Sequence, residues 1–139
     1  MNVKVVKKAP GKEAEIGSIE NNYKALQNYV GGTFQCVSMP GERKLSVICN
    51  DDGKLLQMDA NIFLSEYDDL VVGNILIAAH DDEGDMRDLT DAEIQRALKY
   101  CRENSAPYID PDSDKYNSYL RVEFYVAESG KDEPDMGDD

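Results

Sequence analysis

The sequence predicts an α+β domain, with one mostly antiparallel or mixed sheet of five to seven strands and two main helices packed on it. Three features predict this class. Short apolar or alternating segments lie between Pro-Gly and Asp-Gly turns, a nearly continuous apolar run covers residues 70–79, and a capped amphipathic helix follows at residue 90. Strands joined by tight turns and accompanied by few helices are typical of α+β domains. We expect both helices to lie on the same face of the sheet.

The strands are predicted from β-branched, aromatic or alternating segments between turn residues. They cover residues 3–9, 14–19, 33–39, 44–50, 54–58, 70–79 and 118–127. The Asp-Gly pair at 52–53 tolerates the positive φ of a hairpin turn, so the strands on either side of it are expected to pair. The run at 70–79 does not alternate, which predicts a central strand covered on both faces. Residues 59–67 are expected to form a short helix or a structured loop.

The first helix is predicted to begin after Asn21 or Asn22, either of which can cap it, and to end at the Gly31-Gly32 pair. Glycine readily adopts the left-handed conformation that a helix C-terminus commonly needs. The apolar face of this helix is expected to contain Tyr23, Leu26 and Val30.

The second helix has the strongest local signals. Thr90 is its predicted cap, and Glu93 completes a capping box with it. The apolar stripe follows the spacing i, i+3, i+4 and i+7, and it consists of Ile94, Ala97, Leu98 and Cys101. Acidic residues in the first turn and basic residues in the last turn complement the helix dipole. Residues 104–107, which include a proline, are expected to stop the helix.

The chain has 139 residues, of which 41% are hydrophobic, and this suits one domain with its own core. We expect a single domain over residues 1–127. Residues 128–139 contain six acids, one lysine and no β-branched residue, which predicts a disordered acidic tail.

The cysteines and the apolar segments predict a cytoplasmic location. Cys36, Cys49 and Cys101 are odd in number and widely spaced, so we expect three buried, reduced thiols and no disulfide framework. The apolar run at 70–79 has about half the length of a membrane span. No segment resembles a signal peptide, and we expect no membrane contact.

The charge of the chain is strongly negative and unevenly distributed. Its 15 basic and 28 acidic residues give a net charge of −13. Because Lys and Arg supply most non-specific affinity for phosphates, we expect no direct binding of nucleic acid. Residues 81–93 contain seven acids and one base, whereas residues 1–12 contain four lysines and no acid.

Neither a catalytic site nor a metal site is predicted. Asp82 and Glu93 have the separation of the first and last ligands of a calcium loop, but the residues between them lack the other ligands and the central glycine. His80 precedes Asp81 and Asp82 and suits a general base, although no nucleophile motif accompanies it. We therefore expect no cofactor, and a small hydrolase that uses His80 is a minor alternative.

Two groups of side chains suggest a surface that binds another protein. The first follows the central strand and contains Asp81, Asp82, Glu83, Asp85 and Asp88. The second lies on the polar face of the last predicted strand and contains Tyr119, Arg121 and Tyr125, residue types that are enriched in interfaces. The acidic group either resembles the phosphates of DNA or serves solubility alone. The alternative interpretation of the tyrosine face is that residues 105–117 cover it.

Four blocks of the sequence resemble the family called domain of unknown function 3846. They are Ala25-Leu26-Gln27-x-x-Val30-Gly31-Gly32, Val47-x-Cys49-Asn50-x-x-Gly53-Lys54-Leu55, Val72-Gly73-Asn74-Ile75-Leu76-Ile77-x-x-x-Asp81-Asp82-x-Gly84-Asp85, and Leu89-Thr90-Asp91-x-Glu93-Ile94. The likeness covers residues 3–102, and residues 103–127 look like a C-terminal addition. The family occurs in bacteria, phages and conjugative elements and has no established catalytic residues. The resemblance therefore implies a mobile-element context and a protein that is not an enzyme.

The leading hypothesis is a non-enzymatic accessory protein of a mobile element or its host. It acts by binding an unidentified protein partner, and inhibition by DNA mimicry is one form of this hypothesis. The alternative is a small-ligand protein that binds a nucleotide-like molecule through Asn50, residues 59–67 and the tyrosine-rich C-terminal loops. A homodimer formed through an uncovered edge strand is compatible with both hypotheses.

Overall fold

The computed structural model describes residues 1–120 and has the predicted α+β architecture. The strands are β1 (Asn2–Lys8), β2 (Glu15–Glu20), β3 (Phe34–Ser38), β4 (Leu45–Asn50), β5 (Ala60–Leu64), β6 (Asp69–Val72), β7 (Ile75–His80) and β8 (Met86–Arg87). The helices are α1 (Tyr23–Val30) and α2 (Asp91–Glu103), with a 3-10 turn at Ser65–Tyr67 and a further helical segment at 114–120.

Six of these strands form one antiparallel sheet around β7. The order is β2-β1-β7-β4-β3, and β8 pairs with the end of β7. Ile77 lies between Val6 of β1 and Val47 of β4 and is fully buried. The prediction of a central apolar strand is therefore confirmed for residues 75–79. Strands β1 and β2 pair antiparallel.

The two helices pack on opposite faces of this sheet, so the expectation that they share one face is wrong. On one face, Leu26 and Val30 of α1 pack with Leu76 and other buried residues of the sheet. On the other face, α2 packs against a cluster that contains Ile75 and Ile77. The reason is the consecutive apolar residues of β7, since neighbouring side chains of a strand point to opposite faces and both faces must be covered.

Gly73 divides the apolar run that was predicted as one strand. It has φ +79, and a Cβ at this position would lie 2.7 Å from Sδ of Met58. Residues before Gly73 form β6, which pairs with β5 in a separate two-stranded sheet. Residues after it form β7. This second sheet contributes Ile62 and Leu64 to the cluster on the α2 face of the main sheet.

The strand predicted at 54–58 is wrong. The short helix or structured loop predicted at 59–67 is wrong for residues 60–64, whereas Ser65–Tyr67 form a 3-10 turn. The segment after β4 turns on itself, because the N–H of Leu56 donates to the carbonyl oxygen of Asp52 at 2.9 Å and that of Met58 donates to Gly53 at 3.0 Å. These local bonds leave residues 54–58 outside any strand, and their apolar residues do not alternate. Strand β5 forms later, within the segment predicted as a helix or loop.

Residues 104–120 complete the second sheet. The N–H of Phe63 donates to Asn104 O at 2.8 Å and the N–H of Ala106 donates to Asn61 O at 2.9 Å, so residues 104–106 lie along β5. Ile109 and Tyr116 then cover the outer face of the sheet. The strand predicted at 118–127 is wrong for residues 118–120, which are helical. The rest of that strand and the predicted acidic tail at 128–139 lie outside the described residues.

The predicted helix caps are confirmed. Asn22 accepts a hydrogen bond from the N–H of Ala25, and Gly31 ends α1 with φ 85. Thr90 and Glu93 form both halves of the capping box. Tyr23 differs from the prediction, because it is 74% exposed although it was placed on the apolar face of α1.

The three cysteines are free, but only two are buried. Cys49 and Cys101 lie in the core, whereas Cys36 on the edge strand β3 is exposed, so the prediction of three buried thiols is wrong for Cys36. Within residues 1–120, no helix is long and apolar enough to cross a membrane.

Replacement of Gly73 tests the break between β6 and β7. We expect Gly73→Ala to lose more stability than Gly41→Ala. Both positions have nearly the same positive φ, but a Cβ at Gly41 meets nothing within 4 Å. The backbone penalty of about 1 kcal/mol is shared, and contact with Met58 adds at least about 1 kcal/mol at Gly73. Urea unfolding measures both losses, and equal losses would contradict this account of the break.

Candidate functional site

A groove lies beside α1 because this helix of eight residues is too short to cover its face of the sheet. The groove, called the α1 groove below, has a volume of about 520 Å³. Its floor is formed by the sheet and its walls by α1 and the loop after β7. The lining residues include Tyr23, Leu26, Phe34, Cys36, Ser46, Ile48, Ala78, His80, Asp85 and Met86.

Aromatic and apolar side chains dominate one end of the α1 groove. The exposed ring of Tyr23 meets Phe34 edge to face, with ring centroids 5.2 Å apart. Ile48 and Ala78 are buried and form part of the floor below them. An aromatic pair over an apolar floor offers contact area at a low cost in conformational entropy.

The opposite end of the groove meets the acidic turn, residues 81–88. Oδ1 of Asp81 accepts hydrogen bonds from the N–H groups of Glu83 and Asp85, at 2.9 and 3.0 Å. The N–H of Gly84 also donates to Asp81 O at 3.0 Å, and Gly84 has φ +88. The carboxylate of Asp81 therefore shapes the turn and does not face a partner.

Two more acids of the turn have structural partners. The ammonium of Lys44 lies 3.0 Å from Asp82 Oδ1, and its hydrogen bond holds the pKa of that exposed carboxyl below its ordinary value. Asp88 accepts a hydrogen bond from the N–H of Lys4 at 2.7 Å. Among the residues described, Glu83 and Asp85 have exposed carboxylates with no hydrogen bond or ion pair of their own. Only Asp85 of these two lines the α1 groove.

Arg87 anchors the acidic turn to α2. Its guanidinium donates two hydrogen bonds to the carboxylate of Glu93, at 2.8 and 3.0 Å. Glu93 also accepts from the N–H of Thr90 at 2.9 Å. The bonds from Arg87 are the main cause that lowers the pKa of Glu93 to about 2, with smaller contributions from Thr90. Arg87, the single base of the turn, is therefore engaged with Glu93 in the cap of α2.

His80 ends β7 at the edge of the groove, and its backbone N–H donates to Lys44 O at 3.0 Å. Cys36 lines the same groove, but it pairs with Ile48 of β4, which pairs with Leu76 of β7. His80 is two strands and four residues away from Cys36, a Cα separation of about 16 Å. The two side chains therefore do not form a thiol–imidazole pair.

Tyr119 lies far from the acidic turn in the fold. It belongs to the helical segment 114–120 and packs against Phe63 of β5, with ring centroids 6.1 Å apart. The strand that was predicted to present it does not form at this position. Arg121 and Tyr125, the other members of the predicted tyrosine face, lie outside the described residues.

The residues proposed for a nucleotide-like ligand also have structural roles. The buried side chain of Asn50 donates to Val30 O at 3.1 Å and accepts from the N–H of Asp52 at 2.7 Å. Residues 60–64 form β5. In the described part of the chain, no three His, Cys, Asp or Glu side chains come together in a way that could hold a metal ion.

A family model matches residues 2–102. The chain belongs to the family described as Domain of unknown function (DUF3846). Comparison with curated proteins and with solved structures gives no match. The residues matched by the DUF3846 model include all of the α1 groove and the acidic turn. The segment 104–120, which covers the second sheet, follows the matched residues. The match agrees with the resemblance expected for residues 3–102.

Sequence reasoning found the acidic turn of this DUF3846 chain but missed the groove beside it. The available signal was the distance from Asn22 to Gly31, which limits α1 to about two turns. A helix of that length cannot cover a face made by several strands. The exposed position of Tyr23 and the incomplete burial of Phe34 follow from this shortage of cover.

The Arg87–Glu93 pair predicts how stability depends on pH. Glu93 has a folded-state pKa of about 2 and an ordinary value of 4.5. Its contribution is thus present above pH 4.5 and is lost as the pH falls toward 2. We expect Glu93→Gln to reduce the free energy of unfolding by about 2 kcal/mol at pH 7. Near pH 2, the difference from wild type should largely disappear.

Urea unfolding of both proteins at several pH values measures this difference. Glu103→Gln is the control, because Glu103 has only an exposed contact of 4.0 Å with Lys99. Its effect should stay below about 0.5 kcal/mol at either pH. A Glu93→Gln effect that is the same at pH 7 and pH 2 would show that the ion pair does not supply it.

Proposed function

We propose that this protein is a non-enzymatic accessory protein that acts by binding another protein through the α1 groove. The observation that carries the proposal is the combination of an apolar, aromatic groove with unpaired carboxylates at one end. The mobile-element or host context implied by the sequence resemblance is part of the same proposal. The proposal also includes a cytoplasmic location and no direct contact with nucleic acid or membrane.

The apolar part of the groove supplies the contact area. The exposed Tyr23 and the half-buried Phe34 form an aromatic pair, and Met86 lies among the other lining residues. Aromatic residues and methionine are enriched in protein interfaces, and a few such anchors commonly dominate the affinity. The partner is therefore expected to insert apolar side chains between α1 and the acidic turn.

The carboxylates of Glu83 and Asp85 supply the charge preference. They are exposed at the tip of the acidic turn, while Asp81, Asp82 and Asp88 are engaged within the protein. A partner segment with Lys or Arg next to its apolar residues fits this arrangement. Charges at the rim of an interface mainly increase the association rate and make it depend on salt.

DNA mimicry is a narrower version of this proposal and has less support. Phosphate charges recur about every 1.7 Å along the axis of duplex DNA. A mimic must therefore distribute free carboxylates over a long surface. In the acidic turn, three of the five predicted acids have partners within the protein. Protein binding at the α1 groove does not depend on mimicry.

Capture of a partner from a host lysate tests the proposal. The wild-type chain should retain a stoichiometric protein that Tyr23→Ala retains at least tenfold less. Tyr108→Ala is the matched control, because Tyr108 is 72% exposed, nearly the same fraction as Tyr23, but does not line the groove. Capture that is equal for both variants would contradict a site at the groove. Recovery of no protein across several salt concentrations would contradict the proposal as a whole.

A charge reversal separates the contribution of the acidic turn. Asp85→Lys should weaken capture most at low salt, whereas Glu103→Lys, an exposed change on α2, should leave it unchanged. Duplex DNA should not release the captured protein. Release by DNA, together with capture of a DNA-processing enzyme, would favour the mimicry version.

A further inference from the structure

A second cavity lies on the α2 face of the main sheet, opposite the α1 groove. It has a volume of about 540 Å³, within the range of small-molecule sites. Its walls come from the end of β1, the turn after β1, the last turn of α2 and the segment that follows α2. The residues that line it include Lys8, Lys12, Ala14, Leu98, Cys101 and Arg102.

The sign of the charge in this cavity is opposite to that of the whole protein. Three bases line it, Lys8, Lys12 and Arg102, against one acid, Glu13. The chain as a whole has 15 bases and 28 acids. Within residues 1–120, none of these three bases forms an ion pair, so their charges are available to a ligand.

Lys8 is the unusual member of this group because it is only 3% exposed. Its Nζ donates to Asn61 Oδ1 at 2.8 Å and to Asn61 O at 3.3 Å, and both acceptors are neutral. An ammonium group has three donors, so one is left. A buried charge without a counter-ion is costly, and burial accordingly lowers the pKa of Lys8.

The neighbouring thiol does not supply the missing negative charge. Cys101 is fully buried on α2 and lines the same cavity. Burial raises the pKa of this thiol to about 11, although the charge of Lys8 acts in the opposite direction. Cys101 is therefore neutral at pH 7. The carbonyl oxygen of Tyr100, in the last turn of α2, is already bonded to Asn104.

The geometry points to a binding site for a small organic anion in this cavity. A carboxylate or phosphate group meets Lys8 at the inner wall, with Arg102 and Lys12 at the rim. The apolar part of the ligand contacts Ala14, Leu98 and Ala106. This inference is independent of the α1 groove, because the two sites lie on opposite faces of the sheet.

Thermal unfolding and calorimetric titration of the full chain test the site with three probes of similar shape. Phenyl phosphate and benzoate are anions, and benzyl alcohol is neutral. We expect at least one anion to raise the unfolding temperature and to bind with a 1:1 stoichiometry, and the alcohol to have no effect. The anion that binds more tightly identifies the preferred head group. No response to either anion, or an equal response to benzyl alcohol, would overturn the proposal.

Variants locate the binding. Lys8→Met keeps most of the length of the unbranched side chain and removes its charge, and it should weaken anion binding at least tenfold. The double variant Lys12→Gln with Arg102→Gln changes only exposed residues, and it should weaken binding at least threefold even if Lys8→Met does not fold. Lys24→Gln removes one exposed charge on α1 and is the control. Unchanged anion affinity in the double variant would overturn the site.

Discussion

The buried side chain of Asn61 holds the two sheets together, and much of the fold depends on it. It accepts a hydrogen bond from Nζ of Lys8, and it donates to the carbonyl oxygens of Lys8 and Gly73 at 2.9 and 2.7 Å. Its backbone carbonyl accepts from the N–H of Ala106. Asn61 therefore provides hydrogen-bond partners for polar groups at the end of β1, at the break between β6 and β7, and in the segment after α2. Without it, several buried polar groups would lose partners, at about 1–3 kcal/mol each.

This arrangement explains why the protein has two concave surfaces of different character. The α2 face of the main sheet is covered by α2 and by the second sheet, and the cavity at their edge contains the buried Lys8. Within residues 1–120, α1 is the only helix that covers the other face, and the uncovered part becomes the α1 groove. The basic cavity and the α1 groove thus lie on opposite sides of the main sheet. Each of these two concave surfaces is a consequence of how much of the sheet is covered on that side.

The sequence predicts the local structure better than the arrangement of the elements. The capping box of Thr90 and Glu93 and the apolar stripe of α2 depend on residues close in the chain, so they could be predicted. The division of residues 70–79 could not, because it depends on Met58 and Asn61, which contact Gly73 only after folding. Lys8 similarly ends an ordinary amphipathic strand, and its burial depends on Asn61 of β5 and on α2, which are far from it in the chain. The acidic turn was found, but the internal hydrogen bonds of Asp81 and Asp88 reduce the number of free carboxylates that it presents.

Of the two surfaces, only the cavity is lined by described residues that follow α2. The α1 groove is built entirely from residues within the family match at 2–102, whereas Ser105 and Ala106 form part of the wall of the Lys8 cavity. Substitutions in this short stretch change the shape of the cavity but none of the residues that line the α1 groove. The two concave surfaces can therefore diverge separately at these positions as the gene evolves.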